Sequence, residues 1–292
     1  MTRSRVAVVR STYDNVKEKI AEAIELAGGL HIESKKKILI KINLCDFRPP
    51  ETGAITHPLF LDAFLSYLRS KYPNNEIFVI ESDATAAQPD LLIKWFGFLP
   101  ILEKWNAKYM NLSREEKVVV EIRGRHFKKM EIPKVFLDAY FISLPKMKTH
   151  TLTKITCCLK NQFGCIPVTR KIKFHRWLDD VIVDANLAMR PNFCLVDGII
   201  SMVGTQGPAF GIPTRSNLIV AGSDPVAVDS CCARIMGFNP YLIGHIRKSA
   251  TSGVGSIRSQ MVGMNLKECR IESEFSPIEL IIMKIAEKLS KT

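Results

Sequence analysis

The regular exchange of two hydrophobic periods over residues 5–81 most constrains what this chain can fold into. Arg5 to Arg10 (RVAVVR), Lys37 to Ile42 (KILIKI) and Glu76 to Glu81 (EIFVIE) are short apolar runs that read as strands. Between them, apolar residues recur at helical spacing. One set is Val16, Ile20, Ala23, Ile24 and Ala27, with Asp14 as the expected cap and Gly28-Gly29 as the stop. The other is Leu61, Phe64, Leu65 and Leu68, opened by Thr56-His57-Pro58, with proline in the first turn. A βαβαβ order implies a mostly parallel sheet, because each helix carries the chain back before the next strand begins.

The pattern changes after Val118. Val118 to Ile122 and Phe127 to Ile132 flank Gly124 and read as a hairpin, and Ala139 to Leu144 returns as a buried strand. Strands follow at Phe193 to Val196 and Asn217 to Ala221, with helices after Asp224-Pro225, after Pro240 and from Pro277. The expected fold is α/β: a mostly parallel, Rossmann-like three-layer sheet with an inserted β-hairpin. Residues 1–275 fit one α/β domain, or equally two lobes of about 1–140 and 141–275, followed by a C-terminal helix at 276–292.

The net charge of +12 favours anionic partners, whether small phosphorylated or carboxylated molecules, nucleic acid or an acidic surface. No apolar run reaches the roughly 18 residues that a membrane span needs. The apolar stretch Val6 to Val9 is too short for a signal-peptide core, so a cytoplasmic protein is expected. Cys157-Cys158 and Cys231-Cys232 sit in apolar runs, as buried thiols do in a reducing compartment. No C-x-x-C occurs, so no zinc ribbon or iron–sulfur cluster is encoded by local spacing, and the cofactor is left open.

The charge is concentrated. Between Asp138 and Asp179 there are eight Lys or Arg and no acid. A solvated helix face mixes signs, whereas this run is single-signed, broken by Pro145, Gly164 and Pro167, and follows a strand directly. Open α/β sheets place ligand loops after strands. Lys146, Lys148 and His150 alternate, so an extended segment points them to one side. Lys160, Asn161, Lys171 and His175 continue the stretch. A generic basic loop is the plainer alternative.

Four further groups stand out. Asp197-Gly198 ends a strand and precedes Gly204, Gly207, Gly211 and Pro213, which either let a ligand approach the backbone or simply make turns. Asp224 before Pro225 is a helix cap, and Asp229 must find a partner among apolar residues, a lysine of the basic stretch being the natural one. Lys41-Ile42-Asn43, with the helix start at Thr56-His57, can hold an anion, or Lys41 snorkels and Thr56 caps. Glu81-Ser82-Asp83 reads as a solvated loop, with a sugar or metal site as the alternative.

Together these residues resemble the family called "domain of unknown function 362", in order from about Val6 to Gly263. The pattern is carried by Lys41-Ile42-Asn43-Leu44, Thr56-His57-Pro58, Leu144 to His150 (LPKMKTH) and Thr156 to Gly164 (TCCLKNQFG). Lys171 with His175, Asp197-Gly198, Gly204 to Pro208, Gly211, Gly222 to Asp229 (GSDPVAVD) and Met236-Gly237 complete it. The resemblance implies an α/β protein. Many relatives carry an added ferredoxin-like segment with cysteine-ligated [4Fe–4S] clusters, which implies a redox association; no such segment occurs in this sequence. The resemblance supplies no reaction.

The residues lead to an enzyme acting on a small anion. Lys41, Lys146, Lys148, Asn161, Lys171, Gly207 and Gly211 would bind it, and His150, Lys160 and Asp197 would carry the chemistry. In that scheme Asp197 orients His150, and neighbouring lysines hold His150 in its neutral form. A metal-dependent version uses His150, His175 and Asp197 as ligands, against the electrostatic cost of the lysines. The other readings are a nucleic-acid binder, although only Phe163, Phe174 and Trp177 interleave the charges, and a basic face that docks an acidic redox protein.

Overall fold

The computed structural model describes residues 4–34, 36–84, 87–204 and 211–271. The first half follows the expected rhythm: β1 (Ser4–Arg10), α1 (Val16–Leu26), β2 (Lys37–Ile42), α2 (Pro58–Lys71), β3 (Ile77–Glu81), α3 (Pro89–Trp95), α4 (Phe98–Lys104) and β4 (Lys108–Asn111). A hairpin of β5 (Lys117–Glu121) and β6 (Lys129–Pro133) forms its own two-stranded sheet. The chain then runs through β7 (Ala139–Leu144), β8 (Lys146–His150), β9 (Lys154–Thr156), α5 (Cys158–Phe163) and α6 (Leu178–Ala188). It ends in β10 (Phe193–Val203), β11 (Ile212–Gly222), α7 (Pro225–Ile235), α8 (Gly244–Thr251), β12 (Ser259–Gly263) and α9 (Leu266–Cys269).

One ten-stranded sheet spans both halves in the order β12-β1-β11-β10-β7-β2-β3-β4, with β8 added beside β10 and β9 beside β8. Along the main path every strand but β11 runs the same way. Two hydrophobic layers cover its faces. Ile20, Ile24, Phe60, Phe64 and Leu68 of α1 and α2 pack on one. Val181, Ile182, Val228, Cys232 and Ile246 of α6, α7 and α8 pack on the other. The fold is therefore the mostly parallel three-layer α/β arrangement with an inserted hairpin.

The sheet has a switch point. From β2 the chain moves outward through β3 and β4, then returns to place β7 on the opposite side of β2, with β10 beyond it. Crossovers diverge at the carboxyl ends of β2 and β7, which leaves a crevice where open α/β sheets bind ligands.

Several local expectations shift. Asn15, not Asp14, precedes α1, and its side chain accepts from Thr12 N at 2.9 Å. His57, not Thr56, caps α2, its Nδ1 accepting from Leu59 N at 3.2 Å. Thr56 instead stitches two strand ends, accepting from Asn43 N and donating to Leu144 O, both at 2.9 Å. β10 and β11 are eleven residues each, longer than the expected runs, because the antiparallel pairing continues past Asp197-Gly198, with residues 200–203 opposite 212–215. Residues 276–292 lie outside the described residues.

Candidate functional site

A pocket of about 290 Å³ opens at the switch point. β2 and its following loop contribute Lys41, Asn43 and Cys45; β3 contributes Glu81 and Ser82. β8 and β9 contribute Lys148, His150 and Thr156; α5 contributes Lys160, Asn161 and Phe163. Lys171, Ile172 and His175 close it.

Its floor is a buried ion pair. Lys41 Nζ lies 2.7 Å from Glu81 Oε1, and also donates to Ile42 O at 2.7 Å and Asn161 Oδ1 at 3.3 Å. Asn161 Nδ2 returns a bond to Lys41 O at 2.9 Å. Glu81 accepts from Leu44 N and Ser82 N at 3.0 Å each. Glu81-Ser82 is thus no solvated loop: Glu81 is buried and neutralises Lys41. Gly164 leaves room here, since a Cβ would stand 3.0 Å from both Lys41 Nζ and Asn161 O.

Lys171 Nζ donates to Ser82 Oγ at 2.9 Å and Asp83 O at 2.6 Å, and burial pushes its pKa down to about 8. Lys148 is only 2% exposed; its Nζ donates to Ala54 O at 2.6 Å and lies 3.5 Å from Cys45 Sγ. Lys160 Nζ differs from both. Among the described residues it has no hydrogen-bond acceptor and no ion-pair partner; the side chain is half-buried, with its Nζ 6.0 Å from the centroid of the Phe163 ring. Burial, opposed by the nearby Cys45 and reinforced by the Lys148 cation, brings it down to about 8.

His150 ends β8. Its Nδ1 accepts from Leu152 N at 3.1 Å and Thr153 N at 3.4 Å, clasping the β8–β9 turn. Burial, then Lys160 and Lys148, hold its pKa well below the usual histidine value. A neutral ring whose Nδ1 accepts must carry its proton on Nε2. His175 is lowered by burial and by Lys160, and His245, buried on α8, is lowered to about 3 by the same two causes.

The short α5 is anchored from behind. Asp229 on α7 accepts from Cys158 N at 2.7 Å and Leu159 N at 3.1 Å. Its partner is therefore a helix start and not the expected lysine. Desolvation dominates and raises its pKa to about 7. Asp224 is the expected cap, accepting from Val226 N and Ala227 N.

Lys146 and Asp197 do not join the pocket lining. They form a separate ion pair at 2.7 Å with both side chains fully buried. Tyr13 OH lies 3.2 Å from Lys146 Nζ, and His57 N donates to Asp197 at 3.1 Å. Asp197 thus does not orient His150. Lys146 and Lys148 part because the β8–β10 register slips between Asp197↔Lys146 and Met202↔Lys148, which breaks the simple alternation. Gly211 sits against Met202 and not in the lining. Gly207 lies outside the described residues.

Among the described residues, no group of three or more His, Cys, Asp or Glu side chains is placed to hold a metal ion. His150, His175 and Asp197 are not brought together as a donor set. The cysteines do not suit a cluster either: seven of the eight are buried, and burial raises thiols such as Cys158, Cys165 and Cys231. No described helix is long and apolar enough to cross a membrane.

Tyr13, Glu81, Ser82 and Cys45 are site or support residues that the sequence did not single out in these roles. The signal available was position alone, since Glu81 and Cys45 lie at or just past the ends of strands.

Comparison with known proteins agrees with this architecture. A thylakoid-associated protein of Synechocystis sp. is 26% identical over 237 residues, covering 75% of this chain and 70% of its own. The lactate racemase apoprotein from Thermoanaerobacterium thermosaccharolyticum is similar in fold at 14% identity, with a TM-score of 0.51 over 80% of this chain. The chain spans 57% of that structure's length. The family model described as "Domain of unknown function (DUF362)" matches residues 38–234, which include the pocket-lining lysines Lys41, Lys148, Lys160 and Lys171. The chain belongs to that family of domains of unknown function.

Proposed function

We propose that the switch-point pocket binds a small phosphate- or carboxylate-bearing molecule and that the protein is an enzyme acting on it. The observation that carries this reading is the unpaired Lys160 amine. Four lysines line the pocket against one glutamate, a surplus of three positive charges when the histidines are neutral. Glu81 is committed to Lys41. Buried charge without a counter-ion is costly, so this lining is built for an anion. Lys148 and Lys160 grip it as point charges, and the Nε2–H of neutral His150 donates to one of its oxygens.

The same burial argues against a nucleic-acid surface. Lys146 and Lys148 are 0% and 2% exposed, out of reach of a duplex backbone. The exposed cations of the stretch, such as Arg170, Lys173 and Arg176, lie outside its signature residues.

A thermal-shift survey tests the reading. Inorganic phosphate, pyruvate, lactate and phosphoenolpyruvate should include at least one that raises the melting temperature of the wild type. The same compound should leave Lys160→Met unmoved. Equal shifts in both proteins, or none in either, would sink the reading.

A further inference from the structure

We infer that Lys160 is a nucleophile which forms an imine with a small 2-oxo acid held by Lys148. This rests on the anion-pocket reading above and names its substrate class. Three observations carry it.

The first is a contrast among amines in one pocket. Lys41 is locked to Glu81, Ile42 O and Asn161; Lys171 to Ser82 and Asp83 O; Lys148 to Ala54 O and Cys45. Among the described residues Lys160 alone of the four has no acceptor holding its protons. It is also the one of the four that is only half-buried, the other three being buried. A desolvated amine beside another cation is the arrangement that exposes a nitrogen lone pair near neutral pH.

The second is a seat for a carboxylate next to that amine. An ammonium has three donors, and two of those on Lys148 point at Ala54 O and Cys45 Sγ. The third has no partner among the described residues, and Lys148 and Lys160 line the same pocket.

The third is the state of His150. Its Nδ1 is occupied by backbone N–H groups, so the ring cannot take a proton there and presents an Nε2 donor. It can steady the oxygen that gains charge when a carbonyl is attacked. In the step itself the Lys160 nitrogen bonds to the carbonyl carbon as the π pair moves to oxygen. An amine proton passes to that oxygen, giving a carbinolamine. Loss of one water leaves the imine, so one amine and one carbonyl yield one imine and one water.

Reductive trapping decides the matter. The full chain is incubated with pyruvate and sodium cyanoborohydride near neutral pH, and adducts are mapped by peptide mass spectrometry. The expected result is a carboxyethyl group on Lys160. At that pH an amine brought down to about 8 holds roughly 200–300-fold more neutral form than an ordinary lysine. Lys171, similarly lowered but tied to Ser82 and Asp83 O, is the internal control and should stay unmodified. Lys160→Arg, which keeps the charge, should retain phosphate binding by calorimetry and lose the adduct. Label spread over exposed lysines, label on Lys171, or no label overturns the inference. If phosphate binding still depends on Lys160 in those cases, the anion-pocket reading stands without it; if it does not, both fall.

Discussion

Glu81 Oε1 sits 2.7 Å from Lys41 Nζ, and neither side chain is more than 5% exposed. One carboxylate thereby ties the ends of β2 and β3 together beneath the pocket, since it also accepts from Leu44 N and Ser82 N. Glu81→Gln keeps the shape and removes the counter-charge. Breaking a buried pair from one side costs about 3–5 kcal/mol. Urea unfolding should show a loss of that order, partly recovered in the Lys41→Met, Glu81→Gln double variant. A single variant as stable as wild type would show that the pair does not brace the floor.

Lys146 and Asp197 make the matching test outside the pocket. Asp197→Asn should also cost about 3–5 kcal/mol, because it strands a fully buried ammonium. Its folded fraction should nonetheless bind a pocket anion as tightly as wild type. A specific loss of affinity in a fully folded Asp197→Asn protein would return Asp197 to the site.

Asp229 supports α5 from the far side of the layer. Asp229→Ala leaves Cys158 N and Leu159 N without their acceptor. Unsatisfied buried donors cost about 1–3 kcal/mol each. Hydrogen exchange at those two amides should quicken, and anion affinity should fall because α5 carries Lys160 and Asn161. Unchanged exchange would contradict the anchoring role.

The pH dependence has two opposite limbs. Lys160 has a folded-state pKa of about 8, below its unfolded value near 10.5. Below about 8 it is charged in both states, and the burial penalty is fully present. Between about 8 and 10.5 the folded state sheds the proton first, so the penalty fades and folding is favoured as pH rises. The stability gained by Lys160→Met over wild type should therefore shrink from pH 7 to pH 10. Anion affinity runs the other way and should weaken above pH 8 as the positive charge is lost. A stability gap that widens with pH would refute the assignment.

The sheet was legible because its strands are apolar runs flanked by helical periods: Lys37–Ile42 and Ala139–Leu144 match the structure residue for residue. β10 was underestimated because Asp197-Gly198 interrupts its apolar run, and β11 because its first half passes through Pro213, Thr214, Arg215 and Ser216. Six residues of the basic stretch, Lys148, His150, Lys160, Asn161, Lys171 and His175, line one pocket. Their division of labour was not readable. Whether a lysine is neutralised depends on contacts across the sheet, such as Glu81 to Lys41 over forty residues or Asp197 to Lys146 over about fifty. Lys146 and Lys148 parted because a register slip between strands leaves no mark in local alternation. Tyr13, stacked on His57 at 4.0 Å, is likewise a product of topology, not of any motif.

The most direct test of the anion pocket is calorimetric titration at pH 7 of wild type, Lys160→Met and Lys146→Met, each first shown to be folded, with inorganic phosphate and pyruvate. The account predicts saturable one-site binding of at least one of these in wild type, its loss in Lys160→Met, and its retention by folded Lys146→Met. Binding that survives in Lys160→Met but disappears in Lys146→Met would place the ligand at the Asp197 pair and contradict the account.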